Sequence, residues 1–220
     1  MKRLIIICEG QTEQEFCKTI LSPYLTRINI NIRYPLIKKS NGGIVAWLEF
    51  KKEISQYLKD NTETYVTCLI DYYGINKRHK FPKWEIANAE PDKNQRMRMI
   101  EQGMKEDLAE SIRYRFIPYV QLHEFEGLIF SGSINVFREQ IPQNELTGEE
   151  ELLQTLDQFS NPEMINDDKE TSPSHRLERI IKGYNKIVYG NILLEAIGLE
   201  GIRNKCPRFN EWVDSLVNID

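Results

Sequence analysis

Three short apolar runs, each closed by acidic residues, limit this chain's fold more than any other feature. Residues 3–8 (Arg-Leu-Ile-Ile-Ile-Cys) run into Glu9, residues 65–70 end on Asp71, and residues 116–122 lead into His123-Glu124-Phe125-Glu126. Continuous β-branched runs of this length read as strands buried on both faces of a parallel sheet. After the first, Thr12 and Glu15 have capping-box spacing, and Phe16, Ile20, Leu21, Tyr24 and Leu25 share one helical face. Ile28, Ile30 and Ile32 alternate with polar residues as a second strand that extends towards Ile37. Beyond a break at Asn41-Gly42-Gly43, Trp47, Phe50, Ile54, Tyr57 and Leu58 predict a helix, as do Ile100, Met104, Leu108 and Ile112 further on. Pro118 marks the last run as an edge or a strand start. The order β-α-β-α-β-α-β predicts an α/β fold, a Rossmann-like open and mostly parallel sheet flanked by helices.

After about residue 131 the strand signals fade. Leu152, Leu153, Leu156 and Phe159 predict one helix, Leu177 to Val188 a second, and Phe209, Trp212, Val213, Leu216 and Val217 a third. The expected division is therefore an α/β core over 1–131 and a C-terminal helical lobe over 132–220, packed on the core to bury its apolar stripes. Of 220 residues, 40% are hydrophobic and 28% charged, which excludes a disordered, collagen-like or disulfide-scaffold chain. No apolar run approaches the ~20 residues of a membrane span, and Leu4–Cys8 is too short for a signal peptide. Cys8, Cys17, Cys68 and Cys206 form no CxxC pair, so they read as reduced core thiols of a cytoplasmic protein. The net charge of −4 lends no whole-chain support to nucleic-acid binding. The charge is uneven, however. Arg138 to Glu170 holds ten acidic residues against two basic, and Lys77-Arg78-His79-Lys80 is a basic cluster just beyond Asp71.

In an open α/β sheet, ligands gather at the carboxyl ends of the strands. Parallel strands would bring Glu9, Asp71 and one of Glu124 or Glu126 to one edge, where mutual repulsion calls for a divalent cation. Hard oxygen donors without thiolates or paired imidazoles select Mg²⁺ or Mn²⁺. Such an ion completes its shell with water and phosphate oxygens, so phosphoryl transfer or phosphodiester cleavage is the chemistry expected. Glu13 and Glu15 also fit first-turn positions that complement a helix dipole. His123 fits a ligand, a proton carrier or a core histidine. Tyr72 and Tyr73 fit base stacking or packing. Ser172-Pro173 predicts a helix start with free backbone N–H groups, with Ser174, His175 and Arg176 in its first turn and Lys169 just ahead. Asp167 and Asp168 fit caps, metal ligands or partners of Arg176.

Cys8-Glu9-Gly10-Gln11-Thr12-Glu13 resembles the EGxTE opening of Toprim-like proteins, the fold of topoisomerases, primases and OLD-family nucleases. Asp71-Tyr72-Tyr73-Gly74, the block Pro118 to Glu126, Ile165 to Asp168 through Ser172 to Arg176, and Ile202 to Phe209 together resemble one bacterial family, DUF4276. The likeness covers nearly the whole chain and implies a Toprim-like core. It implies acid–base or metal-binding work for Glu9, a metal role for Glu13, and the first aspartate of a DxD pair for Asp71. The second aspartate of that pair is replaced by Tyr73. Glu126 resembles the later glutamate of OLD-type nucleases and is favoured over Glu124. A lysine of the family pattern is replaced by His175.

The function expected is a Mg²⁺- or Mn²⁺-dependent nuclease. Glu9, Asp71, Glu126 and His123 form its catalytic set, and Glu9, Glu13, Asp71, Glu124 and Glu126 the metal set. Lys77, Arg78, Lys169, Ser174, His175 and Arg176 would contact phosphate. Nucleic acid, DNA above all, is the expected partner. The family also implies an AAA- or ABC-type ATPase encoded nearby, in a phage-defence setting, since the chain itself has no GxxxxGK[ST] loop. The alternatives are a non-catalytic subunit of an ATPase complex and a phosphoesterase acting on small nucleotides. The oligomeric state is open.

Overall fold

The computed structural model describes residues 2–40, 43–165 and 168–219, with Lys169 described by its backbone alone. Asn41, Gly42, Asn166 and Asp167, named above, lie outside the described residues. The chain forms two compact units, one of Met1–Leu122 with Trp212–Asp220 and one of His123–Glu211. The expected boundary at residue 131 falls at the end of a buried 3-10 segment, Phe125–Ser131, of the second unit.

The first unit holds the sheet. β1 (Lys2–Cys8) leads to α1 (Gln11–Phe16), a π-turn over Cys17–Leu21 and α2 (Ser22–Arg27). Then come β2 (Ile30–Arg33), α3 (Trp47–Asp60) and β3 (Thr64–Asp71). The short α4 (Trp84–Asn88), α5 (Lys93–Glu106) and α6 (Glu110–Arg113) precede β4 (Phe116–Ile117) and β5 (Val120–Gln121). The strand order is β2-β1-β3-β4, with β5 also on β3, and every one of these pairs is parallel. This is the open parallel sheet that the three apolar runs predict. Leu4 to Cys8 and Val66 to Ile70 are all buried, as expected of central strands covered on both faces.

Three boundaries differ from the sequence reading, each for a local reason. Pro118 has no N–H for the ladder, so the last run divides: β4 pairs with Val66 and Thr67, and β5 with Ile70 and Asp71. The helix expected through Ile112 stops at Glu106, and Asp107 and Leu108 close it with turns onto Gly103 and Lys105 carbonyls. Ile112 lies on α6 instead. The Cys8 amide donates to the Pro35 carbonyl and the Ile37 amide to the Cys8 carbonyl, which carries the β2 side of the sheet on to Ile37.

α3 buries Trp47, Phe50, Ile54 and Leu58 at helical spacing. Trp47 and Phe50 meet Phe81 at 5.5 and 6.5 Å between ring centroids, a distance at which aromatic pairs attract beyond simple burial. The C-terminal return is anchored by Trp212. Its indole N–H donates to Thr67 Oγ1 at 2.9 Å, and its ring stacks on Tyr119 at 4.6 Å. All four cysteines are free and buried. Burial pushes the Cys68 thiol up to about 12, so it stays protonated and unreactive.

The described residues of the second unit are helical apart from turns and one isolated bridge, Leu146 to Ile181. α7 (Ile134–Gln140), α8 (Glu149–Gln158), α9 (Pro173–Ile180), α10 (Asn191–Lys205) and α11 (Pro207–Val217) are its longer elements, although α11 from Trp212 onward belongs to the first unit. The helix expected over Leu177 to Val188 ends at Ile180. Ile181 turns extended to make its bridge, and Gly183 takes a left-handed φ of 75°.

Glu163 is 1% exposed and caps α11 from a distant segment. Its carboxylate accepts the Arg208 N–H at 2.9 Å and the Phe209 N–H at 3.1 Å. Burial outweighs these bonds and pushes its carboxyl up to about 7. The native state therefore holds a proton that the unfolded chain has already lost, so this group's contribution is complete below about pH 4.5 and fades as pH rises through about 7. Urea titrations of the native protein and Glu163→Gln should diverge across that window. The variant should gain roughly 3 kcal/mol relative to the native protein between pH 4.5 and 8.

Candidate functional site

Glu9 is the first residue beyond β1, and its position is fixed from both directions. Its amide continues the ladder to the Leu69 carbonyl at 3.1 Å, and its Oε2 accepts the Asp71 amide at 2.8 Å. The two acids that end β1 and β3 are thus tied together at the carboxyl edge of the sheet, both half-buried. A Cβ at Gly74 would lie 3.3 Å from Glu9 Oε1, so a glycine there lets the loop after β3 close over the carboxylate.

Glu13 joins them from α1. Its Oε2 accepts the Gly10 amide at 2.8 Å, which makes Gly10 and Glu13 the helix start, where Thr12 and Glu15 were expected. The helix begins two residues early because Gly10, without a side chain, lets Glu13 Oε2 approach to 3.0 Å from where its Cβ would be. Glu15 instead pairs with Lys18 at 2.8 Å on the surface. Tyr72 is buried with its hydroxyl on Asn88, whereas Tyr73 is 50% exposed.

Of the expected phosphate contacts, Lys77 and Arg78 are exposed in the 3-10 turn Lys77–His79 of this same unit. Lys77 pairs with Glu85 at 3.0 Å beside a cleft of about 500 Å³ lined by Lys77, Lys80, Phe81, Lys83 and Trp84. Lys80 and Lys83 sit at left-handed φ values of 54° and 58°, conformations that cost a side-chain-bearing residue energy.

The second unit holds the remaining candidates. His123 is 1% exposed at a φ of 64°, and Glu124 and Glu126 are 8% and 6% exposed. Glu124 Oε2 accepts the Ser174 amide at 2.9 Å, so the helix start offered to a phosphate is occupied by a carboxylate of the same unit. His175 Nδ1 lies 3.0 Å from Ser172 Oγ. Arg176 is engaged internally: its Nε donates to the Thr171 carbonyl at 2.8 Å and its guanidinium to Thr155 Oγ1 at 3.0 Å. Asp168 caps the short 3-10 turn containing Lys169 by accepting the Glu170 amide at 3.1 Å.

Tyr184 has no counterpart in the sequence reading. Its hydroxyl is buried without a hydrogen-bond partner among the described residues. Burial, together with the negative charge of Glu126 and Glu124, holds its phenol well above the usual range, so it remains an O–H donor. A tyrosine in a Lys-Gly-Tyr-Asn turn carries no sequence signal for such a position.

Glu9 and Asp71 supply two hard oxygen donors within one unit. Mg²⁺ typically takes one or two carboxylates and completes its octahedron with water and phosphate oxygens, so this pair fits the ion's donor chemistry. Among the described residues, no group of three or more His, Cys, Asp or Glu side chains is arranged to hold a metal. Nor is any described helix long and apolar enough to cross a membrane.

A domain-of-unknown-function profile, DUF4276, matches residues 8–217. The chain belongs to this family. Among solved structures, it is similar to the C-terminal region of the Burkholderia pseudomallei OLD protein, with 16% identity, 99% of each chain covered and a TM-score of 0.47. No curated protein matches the sequence.

Glu124→Ala should leave the Ser174 amide without its carboxylate. It should lower the stability to urea by about 1.5–3 kcal/mol, the usual worth of a hydrogen bond to a charged group.

Proposed function

We propose that this protein is a divalent-metal-dependent nuclease of Toprim-like type that hydrolyses phosphodiester bonds at the Glu9–Asp71 edge of its sheet. The observation that carries the reading is the bond from the Asp71 amide to Glu9 Oε2 at 2.8 Å, which sets two strand-end acids side by side. Glu9 and Asp71 would hold Mg²⁺ or Mn²⁺, which supplies an acidified water and charge neutralisation at the phosphate. Glu9 takes the backbone donor on Oε2, while Oε1 lies beside Gly74 in the loop after β3. Glu13 orders the adjoining loop through the Gly10 amide. Exposed Arg78 and the lysines of the loop after β3 would hold the nucleic-acid backbone, and Tyr73 offers a half-exposed face for a base. By family resemblance, an ATPase would supply any nucleotide-driven step.

Tyr73 also favours a second reading. It stands where the Toprim DxD pattern has its second acid, and a site short of one ligand suits a non-catalytic subunit of an ATPase complex.

Glu9→Gln and Asp71→Asn separate the two. The glutamine amide would keep an oxygen acceptor for the Asp71 N–H, so the fold should persist while the charge is lost. Each substitution should lower Mn²⁺-dependent cutting of DNA, assayed with the cognate ATPase, by roughly 100-fold or more. Native protein that binds the ATPase yet neither binds Mn²⁺ nor cuts would establish the subunit reading.

A further inference from the structure

The opposite edge of the same sheet carries a second group of charges. A cavity of about 590 Å³ is lined by Arg3 at the start of β1, Asn31 and Arg33 on β2, and Asp60, Asn61 and Glu63 where α3 turns into β3. Because the strands are parallel, Arg3 lies roughly 20 Å along β1 from Glu9. Arg3 is in register with Asn31, and Ile5 with Arg33, so the two arginines project from one face on neighbouring strands.

The two arginines are exposed diagonal neighbours on that face, and both border the cavity. Asp60 and Glu63 line the same space, yet among the described residues none of these four charged side chains is ion-paired. The turn bearing the acids is held from beneath. Buried Arg115 donates to the carbonyls of Leu58, Asn61 and Thr64 at 2.8–3.0 Å, and the Glu63 amide donates to Asn61 Oδ1 at 2.7 Å.

We propose that this cavity binds a small hydroxylated phosphate ester of mononucleotide size. Arg3 and Arg33 take the phosphate, as guanidinium groups do with planar, multiple donors. Asp60 and Glu63 accept from sugar hydroxyls, and the Asn31 amide serves a polar ring edge. The volume lies within the range of about 300–1,000 Å³ usual for small-molecule sites. The assignment does not rest on the nuclease reading, since it uses none of the residues at the Glu9–Asp71 edge.

Isothermal titration of the full chain with AMP, adenosine and inorganic phosphate tests it. AMP should bind at least tenfold more tightly than adenosine. The double variant Arg3→Ala/Arg33→Ala should weaken AMP at least tenfold with an unchanged circular dichroism spectrum, because neither side chain is bonded to the rest of the described fold. Asp71→Asn should bind AMP as the native protein does, which keeps this result separate from any loss of cutting. Absence of AMP binding, or AMP binding indifferent to both arginines, overturns the proposal. So does displacement of AMP by a single-stranded oligonucleotide at lower concentration than AMP itself, which would assign the arginines to a nucleic-acid strand.

Discussion

The Glu9 carboxylate that accepts the Asp71 amide joins the two strand ends on which the nuclease reading of this chain depends. The bond is charge-assisted, and it forms where the β1–β3 ladder has just ended, so it extends the sheet's order one residue into the loops. Without it, the segments after β1 and β3 would leave the sheet independently and their acids would have no fixed relation.

The sheet was legible in the sequence because its strands are short apolar runs and because an acid directly beyond each run has few structural uses. On that basis Glu9 and Asp71 read as the residues at the carboxyl ends of β1 and β3, where they lie. The failures came where a backbone preference competed with a side-chain pattern. Thr12 and Glu15 have perfect capping-box spacing, yet Gly10 starts the helix earlier since Glu13 can reach its amide. The apolar residues from Leu177 to Val188 keep helical spacing, but Gly183 turns left-handed and ends the element. Tyr184 and Arg115 were invisible because their surroundings come from segments distant in sequence.

Two buried acids of the second unit, Glu124 and Glu163, lie against backbone amides at helix starts. Glu124 takes the Ser174 amide of α9, and Glu163 takes the Arg208 and Phe209 amides of α11. Burial of a carboxylate costs several kcal/mol in isolation, and helix N-termini are donors that offset part of it without a counter-cation. This accounts for Glu163 within the acidic stretch from Arg138 to Glu170, whereas Glu149, Glu150 and Glu151 occupy the first turn of α8 and complement its dipole from outside. Arg176 and Arg179 then meet Glu151, so Arg176, which the sequence offers as a phosphate contact, is already occupied.

The two edges of the first unit treat charge in opposite ways, and the contrast bears on which groups are available for a ligand. At the carboxyl edge, Glu9 and Glu13 each bind a main-chain amide, so the local backbone partly satisfies the acids and the edge tolerates their proximity. At the amino edge, Arg3 and Arg33 make no ion pair among the described residues, while Arg115 takes the carbonyls of Leu58, Asn61 and Thr64 in the turn before β3. Backbone amides can serve as a built-in counter-charge for anions at strand ends that lead into turns, but a parallel sheet has no equivalent to offer a guanidinium on its face. A pair of arginines without protein partners, bordering one cavity on neighbouring strands, therefore leaves its donors open to an external anion.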